Sequence, residues 1–433
     1  MINSRRRSSA VLVAVVGLLF SILNITAASS QPIPLPGLVS DNPADWTPWV
    51  YGDIKSFVQV GPLMYGGGRF STAKSAGGAH TYLRNNFLGF NASSGVVTAD
   101  SPSFNGDVLT VIVDPATTRY LYIGGDFTTA GGLARSHIAK YDLLLHRVDP
   151  TFTAGANNDV SDMHFANGHL LVAGAFTRIG SVARTAFASI STSTGAADDY
   201  ADETITGTQP GTSGTQIWRF AVRPQQDSLD LLGNFTAVGG QARRWAFMLN
   251  AGLSHTTLVD WNSPYLTYAC SAKFPQPLRD VDFAPNGTYF GIASRGGAHL
   301  GTICDTASGW YFQPSNSAAR PAWLQYTGGD TLHSIVLAGN GMYYVGGHNR
   351  WLDNTPQPGV CGYNTECRGA YTVDGLGALD AYGRAIRTWY APRVPRGVGA
   401  QELYITPAGL WEGGDQITVD GETHPGMAFF PAP

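Results

Sequence analysis

A repeated sequence frame constrains the fold of this chain more than any other feature. Three stretches align almost letter for letter: GGDFTTAGGLAR at 124–135, AGAFTRIGSVAR at 173–184 and LGNFTAVGGQAR at 232–243. Packing requires the same residue types at equivalent sites of a repeat. We therefore interpret the aligned residues as structural: Phe127, Phe176, Phe235, Thr128, Thr177, Thr236, Arg135, Arg184 and Arg243.

The segments around each frame predict β-strands. In VLTVIVDPATTRYLYIGG (108–125), two apolar runs flank a turn sequence and the second run ends in glycine, which is typical of a hairpin. Another apolar run, such as HIAKYD (137–142), follows the arginine. Each repeat thus holds at least three antiparallel strands.

Weaker copies of the frame extend the series to seven. They are YGGGRFSTA (65–73), YFGIASRGG (289–297), YYVGGHNRW (343–351) and LWEGGDQIT (410–418). Seven units of roughly 58 residues suit the blades of a β-propeller better than the turns of a solenoid. The predicted fold is therefore all-β, a single seven-bladed β-propeller over residues 31–433, with six or eight blades as alternatives.

The two ends of the sequence predict how the ring closes. Interior units finish with an aromatic and proline segment, such as VDWNSPYL (259–266), and a similar segment, DWTPWVYGD (45–53), precedes the first unit. The last unit ends near Phe430 without one. We expect residues 45–51 to supply the outer strand of the last blade and so to cover an exposed sheet edge.

The composition agrees with a turn-rich β protein and excludes several other classes. The 433 residues include 53 glycines, and only 13% are charged, against about 25% in an average protein. A hydrophobic content of 43% argues against intrinsic disorder. The net charge of −4 and the lack of a basic cluster argue against nucleic acid and anionic membrane surfaces as partners.

The N terminus predicts export. Three arginines at 5–7 precede an apolar stretch at 10–23 and a small-residue run at 27–30, which is the layout of a signal peptide at residues 1–30. An uncleaved anchor is the alternative, and no membrane span is expected after cleavage. The predicted location is secreted or extracellular, and we expect a monomer.

Four cysteines in an oxidising compartment predict two disulfides. Proximity in the sequence favours Cys270 with Cys304 and Cys361 with Cys367, one of three connectivities. Neither C-x-x-C nor finger-type histidine spacing occurs, so we predict no metal site and no cofactor. Calcium is a minor alternative, because alternating acids are missing around the aspartates that lie near glycines: Asp126, Asp305, Asp330 and Asp415.

The GGDFT…G…AR units resemble the repeat of secreted bacterial β-propellers, especially those of actinobacteria. The resemblance runs from about residue 45 to the C terminus and includes GGHNRW (346–351) and PRGVGAQELYITPAGLWEGGD (395–415). It implies the propeller fold and export. It implies no activity, because that family is defined by its sequence and not by a reaction.

Positions where the repeat departs from its frame are the candidate functional residues, since a position that loses its packing residue must be compensated or used. Asn349 in GGHN and Gln416 in GGDQ replace the frame phenylalanine. Near them, and near the glycines of the fifth unit, are the predicted ligand-binding residues: His299, His348, Arg350, Trp351, Arg396, Glu402 and Asp415. We expect these residues to line a channel mouth formed by blades five to seven.

The residue types favour three roles. The arginines would hold a carboxylate or sulfate, and they are Arg295, Arg350 and Arg396. The large aromatic residues would stack on sugar faces, and they are Trp310, Tyr311 and Trp351. His348 or His299 would act as a base, with Glu402 or Asp415 as the acid. In a purely structural alternative, Trp351 replaces the lost phenylalanine and Arg350 pairs with Asp353.

The sequence therefore predicts an extracellular binding or scaffolding module for glycan or another cell-surface component. One alternative is a polysaccharide lyase or glycoside hydrolase with its site at that channel mouth. Another is a structural module that binds proteins. Catalytic motifs such as HExxH and GxSxG do not occur, so the sequence assigns no catalytic residue.

Overall fold

The computed structural model describes residues 35–268, 270–271, 273 and 277–433. The predicted signal peptide, residues 1–30, lies outside this range. Strands make up 43% of the described residues and helices 2%, and the strands form many small antiparallel sheets. The prediction of an all-β protein is confirmed.

Seven sheets within the described residues share one plan, in which consecutive antiparallel strands lie side by side. Sheet one contains Asp53–Val60, Leu63–Arg69 and Phe87–Asn91; sheet two Val108–Val113, Tyr120–Gly125, Ile138–Asp142 and Arg147–Val148; sheet three Val160–Ala166, His169–Gly174 and Phe187–Ile190; sheet four Ile217–Val222, Ser228–Gly233, Ala246–Ala251 and Thr256–Leu258. Sheet five contains Leu278–Phe283, Tyr289–Ser294, Thr306–Tyr311 and Trp323–Tyr326; sheet six Leu332–Leu337, Tyr343–Gly347 and Leu376–Leu379; sheet seven Ala400–Thr406, Gly409–Gly414 and Met427–Pro431.

Short hairpins lie between the second and third strands of most sheets. Their strands are Thr72–Lys74 with Thr81–Leu83, Thr129–Ala130 with Leu133–Ala134, Arg178–Ile179 with Val182–Ala183, Ala237–Val238 with Gln241–Ala242, Trp351–Leu352 with Tyr371–Thr372, and Thr418–Val419 with Glu422–Thr423. Three upstream segments add an edge strand to a hairpin: Trp49–Val50, Ile205–Thr206 and Arg393–Val394. Two 3₁₀ helices, Ala76–Gly78 and Pro264–Leu266, complete the described elements.

The repeated frame builds these hairpins. Its three phenylalanines are fully buried. Its arginines donate to backbone carbonyl groups downstream, Arg135 to Asp149 at 2.8 Å and Arg184 to Asp198 at 3.1 Å. The structural interpretation of these phenylalanines and arginines is therefore confirmed.

The core is divided into clusters that join each sheet to the next. Val58 and Phe127, for example, belong to the cluster between sheets one and two. A further cluster combines Trp411 of sheet seven with Phe57 of sheet one. Apolar side chains thus fill the space between consecutive sheets and also between the last sheet and the first.

The N-terminal segment lies along the last strand of sheet seven. Ser40 N donates to Pro431 O and Ala44 N to Phe429 O, both at 2.8 Å. Trp49–Val50 pairs instead with Thr72–Lys74 near sheet one. These two backbone hydrogen bonds to the last strand are therefore made by residues just before the predicted segment 45–51, whose Trp46 ring lies 5.3 Å from the Phe429 ring of that strand.

Both disulfides join the cysteines that are closest in sequence, Cys270 with Cys304 and Cys361 with Cys367. The predicted connectivity is confirmed. Among the described residues, none of the helical segments has the length and apolar character needed to cross a bilayer.

Candidate functional site

The loops after the second strands of sheets six and seven hold several of the predicted residues. His348 directly follows Tyr343–Gly347, and Asp415 directly follows Gly409–Gly414. These strand ends pair with the beginnings of the first strands of their sheets. The two loops therefore lie at corresponding ends of neighbouring sheets.

Arg350 is held by Asp330. Its Nε donates to Asp330 Oδ2 at 2.7 Å and its Nη2 to Oδ1 at 3.2 Å, which is a bidentate pair. Asp353 pairs with Arg387 at 2.9 Å, so the alternative Arg350–Asp353 pair is wrong. The Arg350 guanidinium also lies over the Trp351 ring, 4.2 Å from its centre, and covers one face of it.

His348, Arg396 and Asp415 fasten the loop that precedes the first strand of sheet seven. His348 Nδ1 lies 2.6 Å from Gly397 O, and Arg396 Nη1 donates to His348 O at 2.5 Å. Asp415 accepts from the backbone N–H of Val398 at 2.6 Å. These predicted ligand-binding side chains are thus engaged within the protein.

A buried polar cluster lies beneath this loop. Arg393 donates to Glu412 Oε1 at 3.0 Å and to Gln416 Oε1 at 2.7 Å, and Gln416 donates to Glu412 Oε2 at 2.6 Å. All three side chains are buried. Burial raises the pKa of Glu412 to about 7, and Arg393 opposes the shift. Sequence reasoning found Gln416 but missed its two partners.

Asn349, the other replacement of a frame phenylalanine, is also fully buried. Neither atom of its side-chain amide has a hydrogen-bond partner within the described part of the chain. Nothing in the structure explains this replacement.

His299 lies in a row of exposed rings. Its ring centre lies 5.5 Å from that of Tyr268 and 6.0 Å from that of Tyr363. Tyr268 is 41% exposed and Tyr363 37% exposed. We call Tyr268, His299 and Tyr363 the aromatic row.

The two disulfides fasten the loops that carry the aromatic row. Cys270, which follows Tyr268 by two residues, is bonded to Cys304 in the loop of His299. Cys361 and Cys367 enclose Tyr363. The rings are therefore held in place before any ligand binds. Sequence reasoning missed both tyrosines, although the neighbouring cysteines marked their loops.

The two other aromatic residues predicted to stack on sugars, Trp310 and Tyr311, differ in exposure. Trp310 is only 2% exposed and its Nε1 donates to Ser308 Oγ at 2.9 Å. It packs in the cluster between sheets four and five, so its predicted stacking on a sugar is wrong. Tyr311 points outward and is exposed.

Glu402 belongs to a different group of polar residues. The first strand of each sheet carries a β-bulge near its beginning, and the next paired residue is polar in all seven sheets: Ser56, Thr110, Asp162, Arg219, Asp280, Ser334 and Glu402. We call these residues the bulge row. Their residue types differ and their spacing from the repeated frame varies, so sequence reasoning found only Glu402 among them.

Ionisable side chains of the bulge row meet across adjacent and also across non-adjacent sheets. Arg219 of sheet four lies 3.6 Å from Glu402 of sheet seven and 3.9 Å from Asp162 of sheet three. Burial raises the pKa of Glu402 to about 8; Arg219 opposes this shift and Asp280 adds to it. Burial likewise raises the pKa of Asp280 to about 6. Glu402 therefore keeps a proton at neutral pH, as a general acid must.

The aspartates considered for calcium have donors of their own. Asp330 pairs with Arg350, and Asp415 accepts from Val398 and Gly399. Backbone hydrogen bonds from Gly296 and Gly297 lower the pKa of Asp305, although burial outweighs them and raises it to about 6. These contacts fasten the loops that carry the aspartates.

A groove of about 740 Å³ lies between sheets one and two, away from every predicted site residue. Its walls include Leu63, Leu133 and Val148. At its floor, the Asp100 carboxylate accepts from Tyr65 Oη at 3.1 Å and from Tyr141 Oη, and His146 Nδ1 lies 3.3 Å away. Sequence reasoning missed this group, because its members come from three separate segments.

No protein-family model matches the chain, and no curated protein matches it. Among solved structures, 881 chains match. One, entitled "Structure of U3-55K", has a TM-score of 0.50 and 11% sequence identity, and the match covers 90% of this chain and 100% of that one. At this identity the likeness concerns the fold alone, and a fold hosts many functions.

Proposed function

We propose that the chain is a seven-bladed β-propeller of the secreted bacterial type with GGDFT…G…AR repeats. The shared plan of the seven sheets supports seven blades. The core cluster between sheets seven and one and the Arg219–Glu402 pair, which joins sheets four and seven across a common axis, support closure. The hydrogen bonds of Ser40 and Ala44 support an N-terminal segment that completes the last blade.

The proposed location is outside the cell. Disulfides persist in oxidising compartments and are rare in the cytosol, and both pairs of cysteines are bonded here. The layout of residues 1–30 as a signal peptide agrees with this location.

The proposed activity is binding of glycan, with the aromatic row as the binding surface. The observation that carries this proposal is the set of three exposed rings on loops that disulfides hold. Aromatic rings offer apolar faces on which the C–H groups of a sugar can stack. A surface that is ordered in advance loses little entropy when it binds.

Binding is preferred to catalysis because both predicted acids and one of the two predicted bases already have partners, while the other base, His299, lies in the aromatic row. His348 contacts Gly397 O, Asp415 accepts from a backbone N–H, and Arg350 is held by Asp330. Glu402, the intended acid, lies 3.6 Å from Arg219 Nη2 in the bulge row. The proposed ligand therefore meets rings and not an acid–base pair.

A lyase or glycoside hydrolase is the second candidate function, and one observation favours it. Glu402 holds a proton at neutral pH beside the carboxyl group of Asp280, because burial raises the pKa of both groups. Paired carboxyl groups of this kind serve as acid and base in glycosidases. In this alternative the bulge row replaces His348 and Asp415 as the catalytic group.

The test is retention of the purified chain in gels that contain one polysaccharide each, across a panel of neutral and acidic polymers. We expect at least one polymer to retain the wild-type chain. Tyr363→Ala and Tyr268→Ala should each weaken retention about tenfold, which corresponds to about 1.4 kcal/mol.

Tyr382→Ala is the matched control, because Tyr382 is 73% exposed and lies outside the aromatic row. This variant should bind as the wild type does. Retention that is unchanged in both aromatic-row variants, or no retention by any polymer, contradicts the proposed function.

A further inference from the structure

Three side chains of types that can bind metal ions meet where the N-terminal segment contacts sheet seven and its hairpin. Asp45 comes from that segment, Glu422 from the hairpin strand Glu422–Thr423, and His424 from the residue that follows it. One ligand atom from each lies within 4.8 Å of the other two. We call these residues the terminal cluster.

His424 points a free nitrogen into the terminal cluster. The residue is 2% exposed, and its Nδ1 lies 3.0 Å from Thr47 Oγ1. Its Nε2 is buried without a hydrogen-bond partner within the described residues. A metal-binding histidine is typically fixed in this way, with one ring nitrogen bonded to an oxygen and the other left for the ion.

Glu422 faces that nitrogen. Its Oε2 is also buried without a hydrogen-bond partner in the described chain, and it lies 3.5 Å from His424 Nε2. These two buried atoms contact each other only at 3.5 Å, which is long for a hydrogen bond, so the contact offsets little of their desolvation cost. A cation between them would remove that cost for both.

We propose that Asp45, Glu422 and His424 bind a divalent transition-metal ion of the zinc type. Ligands bound to zinc at about 2.1 Å in tetrahedral geometry lie about 3.4 Å apart, which is close to the separation of His424 Nε2 and Glu422 Oε2. Asp45 is exposed and can rotate toward the ion. An imidazole ligand disfavours calcium and magnesium, which prefer oxygen ligands.

The place of the site gives the ion a structural task. Asp45 belongs to the segment whose Ala44 N donates to Phe429 O, and Val50 N donates to Pro425 O on the other side of the cluster. A bound ion would tie the beginning of the described chain to its last sheet. The proposal is independent of glycan binding.

The test is calorimetric titration of the metal-free, purified chain with zinc chloride, with thermal unfolding measured in parallel. We expect one zinc ion per chain and a higher unfolding temperature with zinc but not with magnesium. Glu422→Gln and Asp45→Asn should each weaken zinc binding at least tenfold. Thr47→Val, which removes the partner of Nδ1, should weaken it about tenfold.

The test uses Glu422→Gln and Asp45→Asn because His424 is buried and His424→Ala risks misfolding. His255→Ala, which removes an exposed histidine elsewhere, is the control and should bind zinc as the wild type does. Equal zinc affinity in wild type and Glu422→Gln, no zinc binding at all, or the same stabilisation by magnesium would overturn the proposal.

Discussion

Asp230 lies on the second strand of sheet four, at the position that Tyr122 occupies in sheet two and Leu171 in sheet three. Both of its carboxyl oxygens are buried without a hydrogen-bond partner within the described residues. Burial raises the pKa of Asp230 to about 8. The folded chain therefore keeps a proton that the unfolded chain releases near pH 3.8.

This proton makes stability depend on pH. Because the folded state binds the proton more tightly, the contribution of Asp230 to stability falls as the pH rises from about 4 to about 8. Asp230→Asn should therefore raise the midpoint of urea unfolding at pH 8 and leave it nearly unchanged at pH 4. The difference in pKa between the folded and unfolded chain corresponds to at most about 6 kcal/mol.

Other carboxyl groups also titrate in this range, so the comparison with the wild type isolates Asp230. Asp260→Asn, at an exposed aspartate, serves as the control and should leave the pH profile unchanged. Parallel pH profiles for Asp230→Asn and the wild type would show that the buried carboxyl group is not protonated.

At the residue scale, the sequence predicted the core side chains that recur in each repeat. It did not predict which polar side chains pair with one another. Phe127, Phe176 and Phe235 were predictable because the same residue fills the same space three times. The structural alternative paired Arg350 with Asp353, three residues away, but Arg350 pairs with Asp330, twenty residues away. Only the course of the folded chain brings the more distant carboxyl group to the arginine.

At the element scale, sheet seven has the buried polar cluster of Arg393, Glu412 and Gln416 at positions where sheet two has apolar side chains. Sheet two carries Phe104, Ile123 and Phe127 at the corresponding positions, and all three are fully or almost fully buried. Removing one member of a buried ion pair leaves an uncompensated charge and typically costs about 3–5 kcal/mol.

We therefore expect Glu412→Ile alone to lower the free energy of unfolding by about that amount. The triple variant Arg393→Phe, Glu412→Ile and Gln416→Phe copies sheet two and should recover most of the loss, since apolar replacements of a buried pair are often neutral or stabilising. Urea unfolding of the two variants and the wild type measures both effects. A triple variant less stable than Glu412→Ile contradicts this account of the cluster.

The strands were largely predictable from the sequence, and the bulge row was not. Apolar runs separated by turn residues indicated the first three strands of each unit. The bulge row escaped notice, because Asp162, Arg219 and Glu402 differ in type and share only a position. Equivalent positions with unlike residues carry no repeat signal.

At the scale of the whole molecule, the N-terminal segment completes the contact with the last sheet. Leu35 and Val39 are buried, and Val39 N donates to Tyr344 Oη at 3.0 Å. A fully buried aliphatic side chain contributes about 1.5–3 kcal/mol. A chain that begins at residue 45 should therefore be at least about 3 kcal/mol less stable than one that begins at residue 31.

Urea unfolding of the two chains measures this loss. Leu253→Ala, which removes a side chain that is 86% exposed, should have little effect and serves as the control. Equal stability of the two chains would mean that residues 31–44 do not stabilise the fold.

The repeat predicted the all-β architecture, since three clear copies and four weaker copies of one frame recur along the chain. Function was harder to predict from the sequence, because the aromatic row joins segments about 95 residues apart, Tyr268 to Tyr363, that only the folded chain and its disulfides bring together. The terminal cluster joins residues near opposite ends of the chain for the same reason.

The central claim is that this protein holds glycan without cleaving it, and one measurement tests it most directly. The purified chain is incubated with a polysaccharide that retains it, and new reducing ends and unsaturated products are measured over many hours. We expect retention with no product above a protein-free control. Products that form with the wild type and disappear with Glu402→Gln would contradict the claim and establish the bulge row as a catalytic site.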